Sequence, residues 1–219
     1  MISILLAVYN GEKYIDQCVD SIINQTFKDW ELLVGFNGTT DRSKDIVSSY
    51  SDNRIKIFDY GEGKGKSKTL NKLIKESKYD FCAIQDDDDI WMPMKLEKQI
   101  GYVKKYDIIG TFVDYIDENN QITGCPNLSS DPEQIKFLMN CGINQIANCS
   151  SLFKKSIVNK IKGWNEDLDS LPEKGLQPKE DFDLWIRLLR EGFSFYNIDE
   201  KLAMHRLHPD SKFNNLNIS

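Results

Sequence analysis

The stretch that decides the fold is ISILLAVYNGEKYIDQCVDSII, residues 2–23. Ile2–Val8 is an apolar run that ends in Tyr9-Asn10-Gly11, and this length and flank predict a strand buried on both faces. Apolar residues then recur at positions 15, 18, 19, 22 and 23, which predicts an amphipathic helix from about Glu12 to Asn24. A buried strand followed at once by such a helix is typical of a parallel sheet.

The same alternation continues through the first half of the chain. We predict further strands at Trp30–Gly35, Arg54–Phe58, Phe81–Gln85 and Ile108–Phe112. We predict helices at Arg42–Tyr50, around Leu70, Leu73 and Ile74 after a Gly61–Gly65 loop, and from Met94 to Tyr106. The expected fold is therefore α/β, with a Rossmann-like, mostly parallel central sheet and helices on both faces.

The alternation weakens after Tyr115, where a polar turn at Asp117–Gln121 is expected between short strands. The later predictions are helices at Gln134–Met139, Ser156–Ile161 and Glu180–Glu191, a loop at Asp167–Lys179, and strands at Phe193–Asn197 and Leu202–Arg206. We interpret residues 1–219 as one domain, with a regular half at 1–112 and a smaller, irregular half at 113–219.

Composition excludes several classes of protein. An apolar content of 40% and an aromatic content of 11% exclude a disordered chain. The net charge of −6 argues against a general nucleic-acid binder, since phosphate neutralisation supplies most of such a protein's affinity. The uncharged run at Ile2–Asn10 is too short for a membrane span of about 20 residues, and no basic segment precedes it to suggest a secretory signal. Five scattered cysteines without a CxxC pair favour a cytosolic chain with reduced thiols.

Polar clusters follow three of the predicted strands: Tyr9-Asn10-Gly11, Asn37-Gly38-Thr39 and Asp86-Asp87-Asp88-Asp89. Ligands of open α/β sheets bind beyond the carboxyl ends of the strands, at the point where the strand order reverses. The three clusters together therefore predict a binding site at that edge.

The four aspartates carry the strongest chemical signal. Adjacent carboxylates repel one another, and a divalent cation such as Mg²⁺ or Mn²⁺ relieves that cost while also binding substrate phosphates. On an extended backbone Asp86 and Asp88 would face one site, with Asp87 turned elsewhere. The alternative is that the acidic run caps the following helix.

Other candidate residues have weaker signals. Glu180-Asp181 opens an apolar helix, where a carboxylate serves either as a general base or as a helix cap. Lys64, Lys66 and Lys68 either neutralise phosphates or line a solvated loop. His205 and His208 either ligate a metal or lie at the surface. The four tryptophans are expected in the core more often than at a ligand.

These residues form a pattern that resembles the family 2 glycosyltransferases, which have the GT-A fold, from Ile2 to about Ser211. The amino-terminal motifs of the resemblance are Ala7–Glu12, Ser21–Phe27, Asn37–Asp41 and the loop Gly65–Asn71. Asp86-Asp87-Asp88-Asp89-Ile90-Trp91 is similar to the family's metal-binding D-x-D-D segment. The later motifs are Gly163–Glu166, Glu180–Trp185 and Met204–His208.

The resemblance implies inverting transfer of a sugar from a nucleotide-diphosphate donor to a hydroxyl of a glycan or lipid-linked saccharide, as in bacterial surface polysaccharide synthesis. It implies that Asp181 is the general base and that Asp88, Asp86 and His208 hold Mn²⁺ or Mg²⁺ against the diphosphate. The implied donor-nucleotide residues are Ala7, Val8, Tyr9, Asn37, Lys66, Asp86 and Asp87. Trp164 and Glu180 are the implied acceptor-side residues. An enzyme with a lipid-linked acceptor is expected to visit the inner face of a membrane as a peripheral protein.

The sequence departs from the family pattern at three places. Ala7 stands where proline is usual, and His205 stands where tyrosine is usual before Arg206. Phe36 and Asn37 stand where the family usually has two acids, one of which contacts uracil. An asparagine amide both donates and accepts, so Asn37 can pair with a base edge, whereas Phe36 cannot. The base of the donor therefore stays open between uracil and another base such as thymine or guanine.

Two other functions compete with transfer. A sugar nucleotidyltransferase would need a glycine-rich, basic loop after the first strand, but Tyr9-Asn10-Gly11-Glu12 has one glycine and an acid. A catalytically degenerate binding module is suggested by Phe36, but Asp86, Asp88 and Asp181 are all present.

Overall fold

The described residues form one sheet of nine strands, with helices packed on it. The computed structural model describes residues 1–61, 65–170 and 180–208. The strands are β1 (Ile2–Val8), β2 (Trp30–Phe36), β3 (Ile55–Asp59), β4 (Phe81–Asp86), β5 (Ile90–Trp91), β6 (Ile108–Ile116), β7 (Ile122–Gly124), β8 (Leu152–Lys154) and β9 (Phe195–Arg206). The helices are α1 (Ile15–Ile23), α2 (Ser43–Ser48), α3 (Lys66–Glu76), α4 (Lys95–Ile100), α5 (Pro132–Asn140), α6 (Lys155–Lys160) and α7 (Glu180–Arg190).

The strand order is β3-β2-β1-β4-β8-β6-β9-β5, with β7 paired to β6. The first four strands are parallel, whereas β8 joins β4 and β6 in antiparallel pairing. The expected α/β fold is confirmed, and the sheet is mixed because the second half adds strands of both directions. In the register, Ala7 lies beside Asp86 and Val8 beside Phe36, so the polar clusters after β1, β2 and β4 meet at one edge.

The parallel strands are buried on both faces, as their continuous apolar sequence predicts. Successive side chains of a strand point to opposite faces, so Ile4 and Leu6 pack toward α1 while Leu5 packs toward α3. The layer on the α3 side also contains Trp185 of α7. Both halves of the chain therefore contribute to the apolar layers that hold the site's edge in place.

The structure corrects several predicted boundaries. Helix α4 ends at Ile100 rather than Tyr106, because turns replace it over residues 101–105. The strands expected at Phe193–Asn197 and Leu202–Arg206 are one continuous strand, β9, whose pairing with β6 shifts register around Phe112. Part of the loop expected at Asp167–Lys179 is a 3₁₀ turn at Glu166–Ser170, and residues 171–179 lie outside the described residues, as does Lys64.

Two further features concern the cysteines and the lengths of the helices. All five cysteines are free thiols in the structure. Among the described helices, none is both long and apolar enough to cross a bilayer.

Candidate active site

The four aspartates form a tight turn at the end of β4. The Asp89 amide donates to the Asp86 carbonyl at 3.2 Å, which closes the turn. The extended backbone on which Asp86 and Asp88 were predicted to face one site is therefore wrong, and a turn takes its place. Each carboxylate therefore has different neighbours. Some are buried in hydrogen bonds within the fold, and others are partly exposed.

Asp89 is the structural member of the turn. Its carboxylate is fully buried and accepts from the Arg206 amide at 2.8 Å and pairs with His205 Nδ1 at 3.0 Å. Burial alone would lower the pKa of His205, but the charge of Asp89 and their hydrogen bond outweigh it and raise that pKa to about 9. The ligand atoms of Asp89, His205 and Cys149 lie within 4.8 Å of one another. Since Asp89 already accepts from two donors, we interpret this group as a hydrogen-bonded core.

Asp88 faces outward, and His208 is its partner. The distance from His208 Nε2 to Asp88 Oδ2 is 3.1 Å, and the Asp88 side chain is 23% exposed. The buried Arg206 guanidinium donates to the Asp88 carbonyl at 2.8 Å, which holds the backbone while leaving the carboxylate available. A carboxylate oxygen beside an imidazole nitrogen suits Mn²⁺, and Mg²⁺ is a poorer match because it prefers oxygen ligands. The donor set therefore fits a divalent metal.

Asp86 lies between a cation and an amide. Lys66 Nζ is 2.5 Å from Asp86 Oδ1, and Asn148 Nδ2 donates to both carboxylate oxygens at 3.2 and 3.1 Å. Burial alone would raise the pKa of Asp86, but the Lys66 ammonium holds it below its ordinary value. Burial alone would lower the pKa of Lys66, but Asp86 and Glu180 raise it well above its ordinary value. Both groups are therefore charged at neutral pH.

Asp87 packs against the loop after β1. A side-chain carbon on Gly11 would lie 2.5 Å from Asp87 Oδ2, so a larger residue there would displace the Asp87 side chain. Burial, and then the charges of Asp88 and Asp86, raise the pKa of Asp87 well above its ordinary value. The carboxylate is thus positioned against the β1 edge.

The first turn of α7 brings two acids to the same place. Glu180 Oε1 is 3.4 Å from Lys66 Nζ, which also contacts Asp86. The neighbouring Asp181 accepts from Asn144 Nδ2 at 3.3 Å. Lys66 therefore bridges Asp86, implied as a donor-side ligand, and Glu180, which directly precedes the implied base Asp181.

The edge formed by β1 and β2 is partly open. Tyr9 is 67% exposed, whereas Val8 and Phe36 are core residues. Asn37 donates through Nδ2 to the Gly65 carbonyl at 2.8 Å, which ties the end of β2 to the start of α3. The side chain of Phe36, which stands where the family usually has an acid, packs into the core. Asn37 is therefore the polar residue at the end of β2.

Trp164 lies where its ring cannot reach a ligand directly. The ring is 2% exposed and packs edge-on against Phe153. Asn71 fixes the backbone of this turn by donating to the Trp164 carbonyl at 2.9 Å and accepting from its amide at 2.9 Å. The ring predicted on the acceptor side is therefore a core group, and the turn that carries it is fastened to α3.

Sequence reasoning missed three side chains at the site: Asn144, Asn148 and Asp169. Asp169 accepts from the amides of Ser67 and Lys68 at 3.1 and 3.0 Å, and so caps α3 from a distant part of the chain. The one sequence signal for Asp169 was Gly65, which occupies the N-cap of α3 and has no side chain to cap the helix, so a cap from elsewhere is needed. Nothing in the sequence spacing indicated the two asparagines, since they act across 37 and 62 residues.

Comparison with known proteins identifies the family of the chain. The family model "Glycosyl transferase family 2" matches residues 3–162. The O-antigen biosynthesis glycosyltransferase WbnJ of Escherichia coli is 33% identical, over 96% of this chain and 81% of its own length. WfgD of Escherichia coli, a UDP-Glc:alpha-D-GlcNAc-diphosphoundecaprenol beta-1,3-glucosyltransferase, is 31% identical over 87% of this chain and 70% of its own.

Solved structures support the same fold. S. aureus TarS 1-349 in complex with UDP-GlcNAc superposes with a TM-score of 0.76 at 15% identity, over all of this chain and 62% of TarS 1-349. The mannosyltransferase PcManGT from Pyrobaculum calidifontis, in complex with GDP-Man and Mn2+, gives 0.72 at 13% identity over 97% of this chain and 59% of its own. The chain thus spans about three-fifths of these structures and shares their GT-A fold. On the family match and the sequence relatives, the chain belongs to glycosyl transferase family 2.

Proposed function

We propose that the chain transfers a sugar, with inversion, from a nucleotide-diphosphate donor to a hydroxyl of a glycan or lipid-linked saccharide. The observation that carries this proposal is the double contact of Lys66, which touches Asp86 and Glu180 at 2.5 and 3.4 Å. That contact joins the acids at the sheet edge to the first turn of α7, where Asp181 lies. A donor site and a base on opposite sides of one cleft are what a single displacement requires.

Asp181 is the proposed base and removes the proton of the acceptor hydroxyl as the oxygen attacks the anomeric carbon. The acceptor approaches from the side opposite the leaving diphosphate, so the configuration inverts. General-base assistance of this kind contributes about 10²- to 10⁴-fold. Glu180 is the proposed acceptor-side partner, since it lies beside Asp181 at the start of the helix.

Asp88, Asp86 and His208 are the residues that would hold Mn²⁺ or Mg²⁺. When bound, a divalent metal offsets the charge that develops on a departing diphosphate. Lys66 supplies a fixed positive charge at the same place, and its raised pKa keeps that charge at any working pH. Arg206 holds the Asp88 backbone, so the carboxylate keeps its position when the donor binds and leaves.

The nucleotide is proposed to bind along the ends of β1 and β2. The exposed Tyr9 ring offers a stacking surface. Asn37 is buried and its Nδ2 donates to the Gly65 carbonyl, so its amide oxygen is the atom proposed to contact the base. Ala7 and Val8 supply the end of β1, and Asp87 lies against its loop at Gly11. Donor selectivity therefore depends on Asn37, because Phe36 is directed into the core.

The acceptor class is proposed from the relatives. WfgD is described as acting on a diphosphoundecaprenol-linked saccharide, and WbnJ as an O-antigen glycosyltransferase. By extension, we assign this chain to surface polysaccharide synthesis in the cytoplasm, at the inner face of the membrane. Trp164 belongs to the acceptor side as a buried support of its turn rather than as a contact surface.

The test is a transfer assay with purified protein, Mn²⁺ and a panel of UDP-, GDP-, dTDP- and CDP-sugars, using a synthetic lipid-diphosphate monosaccharide as acceptor. The expected result is metal-dependent release of one nucleoside diphosphate and a product whose new linkage has the opposite anomeric configuration, determined by NMR. A retained configuration would overturn the inverting mechanism. Nucleotide binding without transfer to any acceptor of this class would favour the degenerate binding module.

A further inference from the structure

Two asparagines four positions apart contact the two sides of the proposed reaction. Asn144 Nδ2 lies 3.3 Å from Asp181 Oδ2. Asn148 Nδ2 lies 3.2 and 3.1 Å from the two oxygens of Asp86. The proposed base and the donor-side carboxylate are thus both held by amides from one short segment, residues 144–148.

The orientation of the Asn144 amide is fixed by its own neighbours. The side-chain oxygen Oδ1 accepts from the Ile146 backbone amide at 3.1 Å. The backbone carbonyl of Asn144 accepts from Gln145 Nε2 at 3.3 Å. Because the oxygen is held in this way, the NH₂ group is the part that faces Asp181. A flip would place the amide oxygen against a carboxylate and lose both contacts.

The segment itself is firmly anchored. Ile146 is fully buried, and the Gln145 carbonyl accepts from Asn197 Nδ2 at 2.8 Å. Just beyond it, the Cys149 carbonyl accepts from Trp91 Nε1 at 2.7 Å, and the Ser150 carbonyl accepts from Gln99 Nε2 at 2.8 Å. Each anchor comes from a different element, so the segment has little freedom to shift toward either carboxylate alone.

We propose that Asn144 and Asn148 are positioning residues, the first orienting the base Asp181 and the second orienting Asp86 at the donor. Their mounting on one rigid segment sets the distance between the attacking and leaving sides of the displacement. The inference rests on the proposed function, since it takes Asp181 as the base. Misplacing a catalytic group by about 1 Å costs on the order of 100-fold in rate, so such a support has a measurable effect.

The two asparagines should affect different steps. Asn144→Ala is expected to lower kcat by about 10- to 100-fold while leaving the donor KM within about twofold. Asn148→Ala is expected to weaken donor binding by about 10-fold, with a smaller effect on kcat. Asn140→Ala is the matched control, because that amide bonds only within its own helix, to the Lys136 carbonyl.

The pH dependence gives a readout that a loss of packing would not produce. Asp181 accepts from the Asn144 amide and interacts electrostatically with the Lys66 ammonium of α3, and Glu180 precedes it on the same helix. Removing the amide donor disfavours the charged carboxylate, so the acidic limb of kcat should move upward by about 0.5 pH or more in Asn144→Ala. Asn144→Asp keeps the shape without the donor and should not rescue the rate.

The Asp181 pKa is also measurable without turnover, by carbon-13 NMR of labelled aspartate with the signal assigned by Asp181→Asn. A higher pKa in Asn144→Ala than in the wild type supports the inference, whether or not the protein transfers sugar. An unchanged pKa, or equal changes of kcat and donor KM in both asparagine variants, overturns it. An inactive wild type with a shifted Asp181 pKa would count against the proposed function alone.

Discussion

The donor side and the base side of the site are held by different forces. On the donor side, four carboxylates follow one strand, and buried cationic or imidazole groups pair with them: Lys66 with Asp86, and His205 with Asp89. On the base side, Asp181 lies on the first turn of a helix, and an amide at 3.3 Å holds it. Buried ion pairs fix the donor side, whereas on the base side an amide hydrogen bond to Asp181 adds to the nearby charge of Lys66.

Because of this difference, substitutions on the two sides should affect different properties, namely the free energy of unfolding and the catalytic rate. Removing one partner of a buried ion pair leaves an uncompensated charge and costs about 3–5 kcal/mol of folding free energy. Removing a partly exposed carboxylate from the start of a helix costs far less. Substitutions in the buried ion pairs of the donor side should therefore weaken folding, whereas substitutions at the base should lower the rate with little effect on folding.

Asp181→Asn should give the largest effect. The amide cannot accept the acceptor's proton, so kcat should fall by about 10³-fold or more, with the thermal midpoint and the nucleotide affinity nearly unchanged. Steady-state kinetics, a melting curve and a nucleotide titration on the same preparation measure all three. A variant that keeps a tenth of the wild-type rate would exclude Asp181 as the base.

Asp89→Asn should be the most destabilising substitution of the aspartate turn. Its fully buried carboxylate faces His205 and the Arg206 amide, so neutralising it should cost about 3 kcal/mol in urea unfolding. Asp88→Asn is the matched control from the next position, with a side chain 23% exposed. The control should lose less than about 1 kcal/mol while losing metal-dependent binding. Equal destabilisation by both variants would contradict the division of roles within the turn.

Gly163→Ala tests the contact that fastens the Trp164 turn to α3. The residue has φ of +78°, and an added carbon would lie 2.1 Å from Asn71 Oδ1, which receives the Trp164 amide. Backbone strain and the displaced asparagine should together cost about 2–3 kcal/mol in urea unfolding. Gly192→Ala is the control, since its φ is +84° and nothing lies within 4 Å of the added carbon. A similar loss in both variants would show that strain alone matters at Gly163.

The His205–Asp89 pair predicts a pH effect of smaller size. Its folded-state pKa of about 9 exceeds the unfolded value of about 6.5, so the folded state binds the extra proton between those limits. The stabilisation is complete below pH 6.5 and is lost as the pH rises through 9, by about 2 kcal/mol between pH 7 and 9. Urea midpoints at pH 6.5, 8 and 9 measure this, and His205→Gln should remove that part of the slope. A wild-type slope that persists in the variant would assign it to other groups.

The donor side was largely predictable because its signals are local. A continuous apolar run ending at Val8 or Gln85 predicts a buried parallel strand, and the polar residues that follow must then meet at one edge. The family resemblance supplied the role of Asp181, which the residues alone left open between a base and a helix cap. The sequence indicated only that Phe36 cannot contact the donor base. The structure shows that its side chain packs into the core.

The rest of the site depends on contacts between distant segments. Strand β8 has three residues and β5 has two, lengths at which no periodicity can be recognised. Asn148 reaches Asp86 across 62 residues, and Asp169 reaches the amide of Ser67 across 102. The extended backbone assumed for the aspartates failed because the Asp89 carboxylate is drawn inward to Arg206 and His205, which close the turn from β9.

The most direct test is a calorimetric titration of UDP, GDP and dTDP, with and without Mn²⁺, into the wild type, Asp181→Asn and Asp88→Asn. The account predicts metal-dependent binding of one nucleotide by the wild type, equal binding by Asp181→Asn, and at least a tenfold weaker, metal-independent signal for Asp88→Asn. Loss of binding in Asp181→Asn, or unchanged metal dependence in Asp88→Asn, would contradict the separation of a charged donor side from the base.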